Sequence, residues 1–222
     1  MEQPNPGTTP ENPAAEEEQA PPEPREWETV TFGRYPQAED GGVEPIRWQV
    51  IRREAGRTLL VSEKCLASQP FQIDNRVDGK TDLYTPILWE NCSLRDWMNG
   101  EFFDAAFTEE EKARMLYVSD GEPLKEPFGD ARDEKVFLLS LDEVRSYYAS
   151  DKERVSAPTP YAIGQGASAN SVTGGCQWWL RSAGYSTIFA TMVYPYGFSS
   201  RYGYDVYMKG LCVRPCIWVT EA

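Results

Sequence analysis

Apolar and polar positions alternate with a period of two at both ends of the chain and with a helical period in its middle. Residues 28–37, "ETVTFGRYPQ", alternate as a half-buried strand does. Residues 45–63, "PIRWQVIRREAGRTLLVSE", read as a hairpin: Ile46, Trp48 and Val50 share one parity and "EAGR" supplies the turn. In residues 93–103, "SLRDWMNGEFF", Leu94, Trp97 and Met98 fall on one helical face, with Ser93 as the expected N-cap and Asp96 three positions on. Thr108 with Glu111, and Ser140 with Glu143, repeat that capping pattern before two further helices, the second preceded by the short buried strand "KVFLL". Residues 150–176 are rich in Gly, Ser, Ala and Pro, carry little periodicity and are expected to form a loop. The remainder returns to strand patterns: "WWLRS", a tyrosine-rich stretch, and "LCVRPCIWV".

Strands at both ends and two to three helices between them give an α+β class with mostly antiparallel strands, not an alternating βαβ order. The two ends are expected to pair in one sheet. Residues 1–26 are Pro- and Glu-rich and almost free of aromatic and β-branched residues, so this segment is expected to be disordered. Residues 27–222 then form a single domain, an ordinary size for one core.

Charge and composition remove several functions. The net charge of −13 argues against nucleic acid and anionic membranes, whose recognition needs Lys and Arg in excess. No apolar run reaches the length of a membrane span, and no signal-peptide pattern is present. With no histidine, the commonest general base and the commonest metal ligand are both missing. There is no dinucleotide fingerprint, phosphate-binding loop, zinc-protease helix or paired CxxC. "GQGASANSVTGG" has glycines but no phosphate-binding lysine. The pairs Asp74/Asp78 and Asp130/Asp133 are what so acidic a chain places on solvated faces. No cofactor or metal is expected.

The five cysteines, Cys65, Cys92, Cys176, Cys212 and Cys216, are odd in number and irregular in spacing, so they read as buried apolar thiols. On one continuous strand Cys212 and Cys216 would lie roughly 13 Å apart, too far for a disulfide or a shared metal. Arg181 and Arg214 stand inside apolar strand segments and are expected to anchor loop carbonyls or a carboxylate.

The stretch from Gly184 to Tyr207 holds Tyr185, Tyr194, Tyr196, Tyr202, Tyr204 and Tyr207, half of the chain's 12 tyrosines, with Arg201 and Asp205 as its only charges. A core strand favours Val, Ile and Leu, because a buried tyrosine hydroxyl needs a partner. Pro195, Gly197 and Gly203 also interrupt strand pairing. Tyrosine with Ser, Thr and Gly is instead the composition of selected binding surfaces. The expected ligand-binding residues are Tyr185, Ser186, Thr187, Ile188, Phe189, Tyr194, Tyr196, Phe198, Ser200, Arg201, Tyr202, Tyr204, Asp205 and Tyr207.

Taken in order, "FGRYPQ", "PIRWQVI", "LLVSEKCL", "SLRDWMNGEFFDAAFTEEE", "KVFLLSLDEV", "WWLRSAG" and "CVRPCIWV" resemble a family of uncharacterised bacterial domains, over roughly residues 28–220. The closing "WWLRS … VRP" pattern is similar to the C-type lectin-like fold in the branch of formylglycine-generating enzymes. The resemblance implies a non-catalytic display module for a protein ligand, of the kind diversified by retroelements that rewrite codons at adenines. An AAY codon rewritten at its adenines yields Tyr, Phe, Ser, Ile, Thr, Arg, Asp or Gly but not Trp, Lys, Glu, Gln or Met. Between Tyr185 and Tyr207 the one residue of that excluded set is Met192, which is expected to be a core position. The resemblance also admits an oxidoreductase using Cys212 and Cys216, or a carbohydrate-binding module stacking sugars on the tyrosines.

Overall fold

A computed structural model describes residues 25–73, 86–124, 128 and 133–221. Asp74, Asp78, Asp130 and the expected disordered segment up to residue 24 lie outside the described residues. Three antiparallel strands open the fold, β1 (Thr29–Pro36), β2 (Val43–Glu54) and β3 (Arg57–Ser62). Ala55 and Gly56 both take positive φ, 46° and 76°, the left-handed pair that closes a two-residue hairpin with the twist of its strands. Further strands are β4 (Ala67–Ser68), β5 (Val118–Ser119), β6 (Glu122–Pro123), β7 (Val136–Phe137), β8 (Trp178–Ala183), β9 (Phe189–Val193), β10 (Ser199–Asp205), β11 (Cys212–Val213) and β12 (Cys216–Thr220).

The order β1-β2-β3-β12-β7 places the last strand beside the opening hairpin, as the two-ended strand pattern predicts, with Cys216 opposite Val61 and Thr220 opposite Arg57. A second sheet runs β10-β9-β8-β11-β4, and β5 and β6 form a two-stranded pair, with Val118 of β5 also bridging Glu134. The β8–β11 pair is parallel and the other strand pairs are antiparallel.

The segment "LCVRPCIWV" is not one strand. It changes sheets at Arg214-Pro215, where the Pro215 carbonyl accepts from Ser62 N–H at 2.9 Å. Cys212 and Cys216 therefore belong to different sheets, not to the one continuous strand that the pattern suggests.

Helices cover the middle of the chain: α1 (Ser93–Trp97), α2 (Phe103–Ala106), α3 (Glu109–Arg114), α4 (Leu141–Tyr147), α5 (Asp151–Arg154) and α6 (Pro160–Gly164). A π-helical turn, Met98–Phe102, joins α1 to α2. The capping boxes Thr108/Glu111 and Ser140/Glu143 are formed. Ser93 is not the cap of α1. Cys92 is, its sulfur accepting from Arg95 N–H at 3.5 Å, while Ser93 Oγ accepts from Ile73 N–H at 2.7 Å. Burial pushes the Cys92 thiol up to about 12, so it keeps its proton and donates to the Trp89 carbonyl. Residues 150–176 are not loop throughout. They contain α5 and α6, the latter capped by Thr159 Oγ1 with Pro160 at its first position.

Trp48, Trp178, Trp179 and Trp218 are fully buried and fill the centre. Each indole N–H finds a backbone carbonyl, of Phe32 at 2.7 Å, Arg154 at 3.3 Å, Gln69 at 3.0 Å and Gly121 at 2.8 Å. Those bonds let the core bury large apolar area without orphaning a polar group. Among the described residues no helix is long and apolar enough to cross a membrane.

Glu111 does more than cap α3. Its carboxylate accepts from Thr108 N–H at 2.9 Å and from Gly33 N–H on β1 at 2.8 Å. Burial opposes its ionisation, yet these bonds hold it below the ordinary carboxylate range. A depressed folded-state value contributes stability above the unfolded value and loses it as pH falls through the folded one. Glu111→Gln is therefore expected to be less stable than wild type at neutral pH, with the gap closing as pH falls below the ordinary carboxylate range and through the lowered folded value. Urea midpoints against pH check this, and a gap independent of pH contradicts it.

Candidate binding surface

The tyrosine-rich stretch forms the β8–β9 connection, β9, the β9–β10 turn and the edge strand β10. Gly203, at φ 76°, makes the first patch possible. A Cβ there would stand 2.4 Å from the Ala190 carbonyl oxygen and 3.2 Å from Gly184 Cα. The backbones close in this way only without side chains. The register slips between Ser200 and Tyr204, as at a β-bulge. Tyr185 N–H then donates to the Tyr202 carbonyl at 2.9 Å, and the two rings stand 6.0 Å apart. Both are exposed, at 83% and 69%.

The second patch is the turn from Tyr194 to Phe198. Tyr194 N–H donates to the Phe198 carbonyl at 2.8 Å, and Gly197 N–H to the Tyr194 carbonyl at 2.8 Å. Tyr194 stacks on Tyr196 with centroids 5.6 Å apart, and Phe198 lies 6.1 Å from Tyr194. Two arginines from the helices fasten this turn. Buried Arg154 donates from Nε to the Gly197 carbonyl at 3.0 Å and from Nη1 to the Tyr148 carbonyl at 3.0 Å, and it pairs with Asp151. Arg145 donates to the Ser199 hydroxyl and carbonyl at 3.0 and 3.1 Å. Thr173 Oγ1 holds the Pro195 carbonyl at 2.7 Å. The rings thus stand on a backbone fixed by charged and neutral donors, which lowers the ordering cost of a contact.

Gly197 is the tightest point of that turn. Its φ is 89°, and a Cβ would stand 1.7 Å from the Asp151 carbonyl oxygen. Gly197→Ala is expected to cost about 3 kcal/mol, combining the left-handed penalty with a backbone overlap that must be relieved. A urea midpoint that implies a loss below about 1 kcal/mol contradicts this reading.

Tyr185, Tyr196, Phe198, Arg201 and Tyr202 are exposed. Ser186, Thr187, Ile188, Phe189, Tyr194, Tyr204, Asp205 and Tyr207 are half-buried, with Ile188, Tyr194, Tyr204 and Tyr207 packed against the core. Asp205 accepts from Tyr207 N–H at 2.9 Å and so shapes the chain after β10. Ser200 is buried and does not reach the surface: it stands opposite Met192, which is fully buried, and directly opposed residues share a face. Met192 is fully buried, as expected of a core position. The sequence reading missed the neighbouring groove of about 450 Å³, lined by Asn170, Gln177, Tyr204, Met208 and Lys209 among others. Met208 and Lys209 stand just past the tyrosine window, and the loop beyond them carries no periodic signal.

Both apolar-flanked arginines are engaged as anchors. Arg181 Nη1 donates to the Leu138 carbonyl at 2.8 Å, and Nη2 to the Asp120 carbonyl at 2.8 Å and to Glu143 Oε1 at 2.9 Å, with a second contact to Glu143 Oε2. Arg214 Nε donates to the Ser62 carbonyl at 2.9 Å and Nη2 to Gln49 Oε1 at 2.8 Å.

Among the described residues, the side chains placed to hold a metal are Cys65, Cys176 and Cys212, whose sulfurs all lie within 4.8 Å of one another. Burial opposes ionisation of Cys65, but bonds from the other two thiols and the charge of Arg214 hold it well below the usual thiol range. Cys216 lies apart from them, and burial pushes its thiol up.

No curated protein and no solved structure matches the chain. A family model described as "Domain of unknown function (DUF6273)" matches residues 55–221, most of the folded chain, and the protein belongs to that family.

Proposed function

We propose that the protein is a non-catalytic ligand-binding module with a C-type lectin-like arrangement, that its β9–β10 hairpin displays the binding surface, and that the ligand is a protein. One observation carries this reading: Tyr185, Tyr196, Phe198 and Tyr202 are exposed on a backbone fastened by Arg145, Arg154 and closely packed glycines. Rigid, amphipathic rings give contact area at small entropic cost, and tyrosine is enriched among interface hot spots. The patch carries little charge on a chain of net −13, which suits a desolvated protein contact.

The surface is diversified by a retroelement in this reading. Residues that adenine rewriting produces occupy the exposed positions, while Met192, which it cannot produce, is buried. Sequencing the DNA around the gene tests this. The expected finding is a reverse transcriptase and a near-copy of the codons for residues 178–218 that differs only where the copy has adenine. The differences should fall on codons such as those of Tyr185, Tyr196, Phe198 and Tyr202 and spare those of Met192, Val193 and Gly197. With no such copy, diversification is withdrawn.

A further inference from the structure

Three cysteines from distant parts of the chain meet in the core. Cys65 follows β3, Cys176 precedes β8 and Cys212 opens β11, and all three are at most 1% exposed. The segment around Ser156 gathers them. Cys65 N–H donates to the Ala157 carbonyl at 3.0 Å, and Cys176 N–H to the Ser156 carbonyl at 2.9 Å. Cys65 Sγ stands 3.5 Å from Ser156 Oγ. None of the three is in a disulfide. Buried thiols commonly serve as small apolar side chains; three sulfurs within 4.8 Å of one another are a tighter set than that role requires.

Arg214 is the second, independent observation. It is 1% exposed, lies over the rings of Trp178 and Tyr148 at 5.0 and 5.3 Å, and among the described residues bonds only neutral acceptors. Its Nη1 is buried and has no hydrogen-bond partner among the described residues. A buried guanidinium without a carboxylate is costly unless negative charge stands near it. Its charge acts on Cys65.

We propose that Cys65, Cys176 and Cys212 form a binding site for one soft, thiophilic metal ion, Cu(I) or Zn(II), with Arg214 balancing the negative charge of the sulfurs. Thiolates select such ions over hard ones. At metal–sulfur bonds of about 2.3 Å, three ligands around a centre stand about 4 Å apart, so small side-chain movements close the set. Three thiolates leave a net charge of −1 on Zn(II), which one arginine neutralises, and −2 on Cu(I), which it halves unless one sulfur keeps its proton. Three-coordinate sulfur alone suits Cu(I), whereas Zn(II) takes a fourth ligand, for which the Ser156 hydroxyl is at hand. Binding displaces protons from thiols that still carry them, so affinity falls as pH falls.

The reduced full chain, kept free of oxygen, is titrated with Cu(I) against a chromophoric copper chelator and separately with Zn(II) against a chromophoric zinc chelator. The expected result is one equivalent of metal withheld from its chelator, with a rise in melting temperature. A new near-ultraviolet sulfur-to-metal absorption in the first titration identifies Cu(I), and retention in the second identifies Zn(II). Cys65→Ala and Cys176→Ala should each weaken retention at least tenfold, and Cys92→Ala and Cys216→Ala should not. If a variant fails to fold, the wild-type titration and melting shift decide alone. Retention of neither metal by wild type, or undiminished retention by folded Cys65→Ala and Cys176→Ala, overturns the site.

Discussion

Alanine at both Tyr185 and Tyr202 is expected to weaken ligand binding by about a hundredfold, near 3 kcal/mol, while leaving the fold intact. The two rings stand together, 6.0 Å apart, and are exposed at 83% and 69%. Because they are largely solvated in the free protein, their removal should change stability by no more than about 0.5 kcal/mol. Tyr204→Ala is the instructive contrast. Tyr204 is half-buried against the core, so its loss should appear in the urea midpoint as well as in affinity. Calorimetry on the ligand, paired with urea unfolding of each variant, separates the two effects. Unchanged affinity in the Tyr185/Tyr202 variant would remove these rings from the binding surface.

Arg181→Leu is expected to cost about 3–5 kcal/mol of stability, the range for removing one partner of a buried charge pair. The guanidinium serves Glu143, the Leu138 carbonyl and the Asp120 carbonyl together, and it sits against Gly121. Burial works against its charge, and the bonds to Glu143 outweigh that. Leucine leaves the Glu143 carboxylate short of its counter-charge and two carbonyls short of donors. Arg181→Lys should recover only part of the loss, because one ammonium cannot reproduce the planar fork. Asp120→Ala should matter far less, since that side chain is 94% exposed and its ion pair is screened. Urea unfolding measures all three, and a loss below about 1 kcal/mol for Arg181→Leu contradicts the assignment. Arg181 also leads into Ser182, whose carbonyl accepts from Thr191 Oγ1 at 3.0 Å, so the tyrosine hairpin depends on it indirectly.

What the chain discloses by itself depends on how local the cause is. The capping boxes at Thr108/Glu111 and Ser140/Glu143 are four-residue devices and were legible. So was the two-residue turn at Ala55-Gly56. Cys92 displaced Ser93 as a cap because Ser93 Oγ is held by Ile73 N–H from another segment, which no local pattern records. Helices α5 and α6, of four and five residues, are too short to show a period. Pro215 was the available signal that "LCVRPCIWV" breaks, since proline cannot donate within a sheet ladder. The burial of Ser200 follows from its pairing opposite Met192, a cross-strand contact that no local pattern records. The meeting of Cys65, Cys176 and Cys212 is set wholly by tertiary structure. The exposure of Tyr185, Tyr196, Phe198 and Tyr202 was legible in composition, which holds too many hydroxyl-bearing rings and glycines for a core strand, whereas the packing of Tyr194, Tyr204 and Tyr207 against the core was not.

The central claim is that the exposed rings of the β9–β10 hairpin are where the ligand sits. A photo-crosslinking phenylalanine analogue at position 202, irradiated in a lysate of the source cells, tests it most directly. The same analogue at Val43, which is 52% exposed beside β1, is the control. One dominant protein adduct is expected from position 202, absent from position 43 and reduced when Tyr185 is alanine. Equal adducts from both positions, or an adduct from position 43 alone, would contradict it.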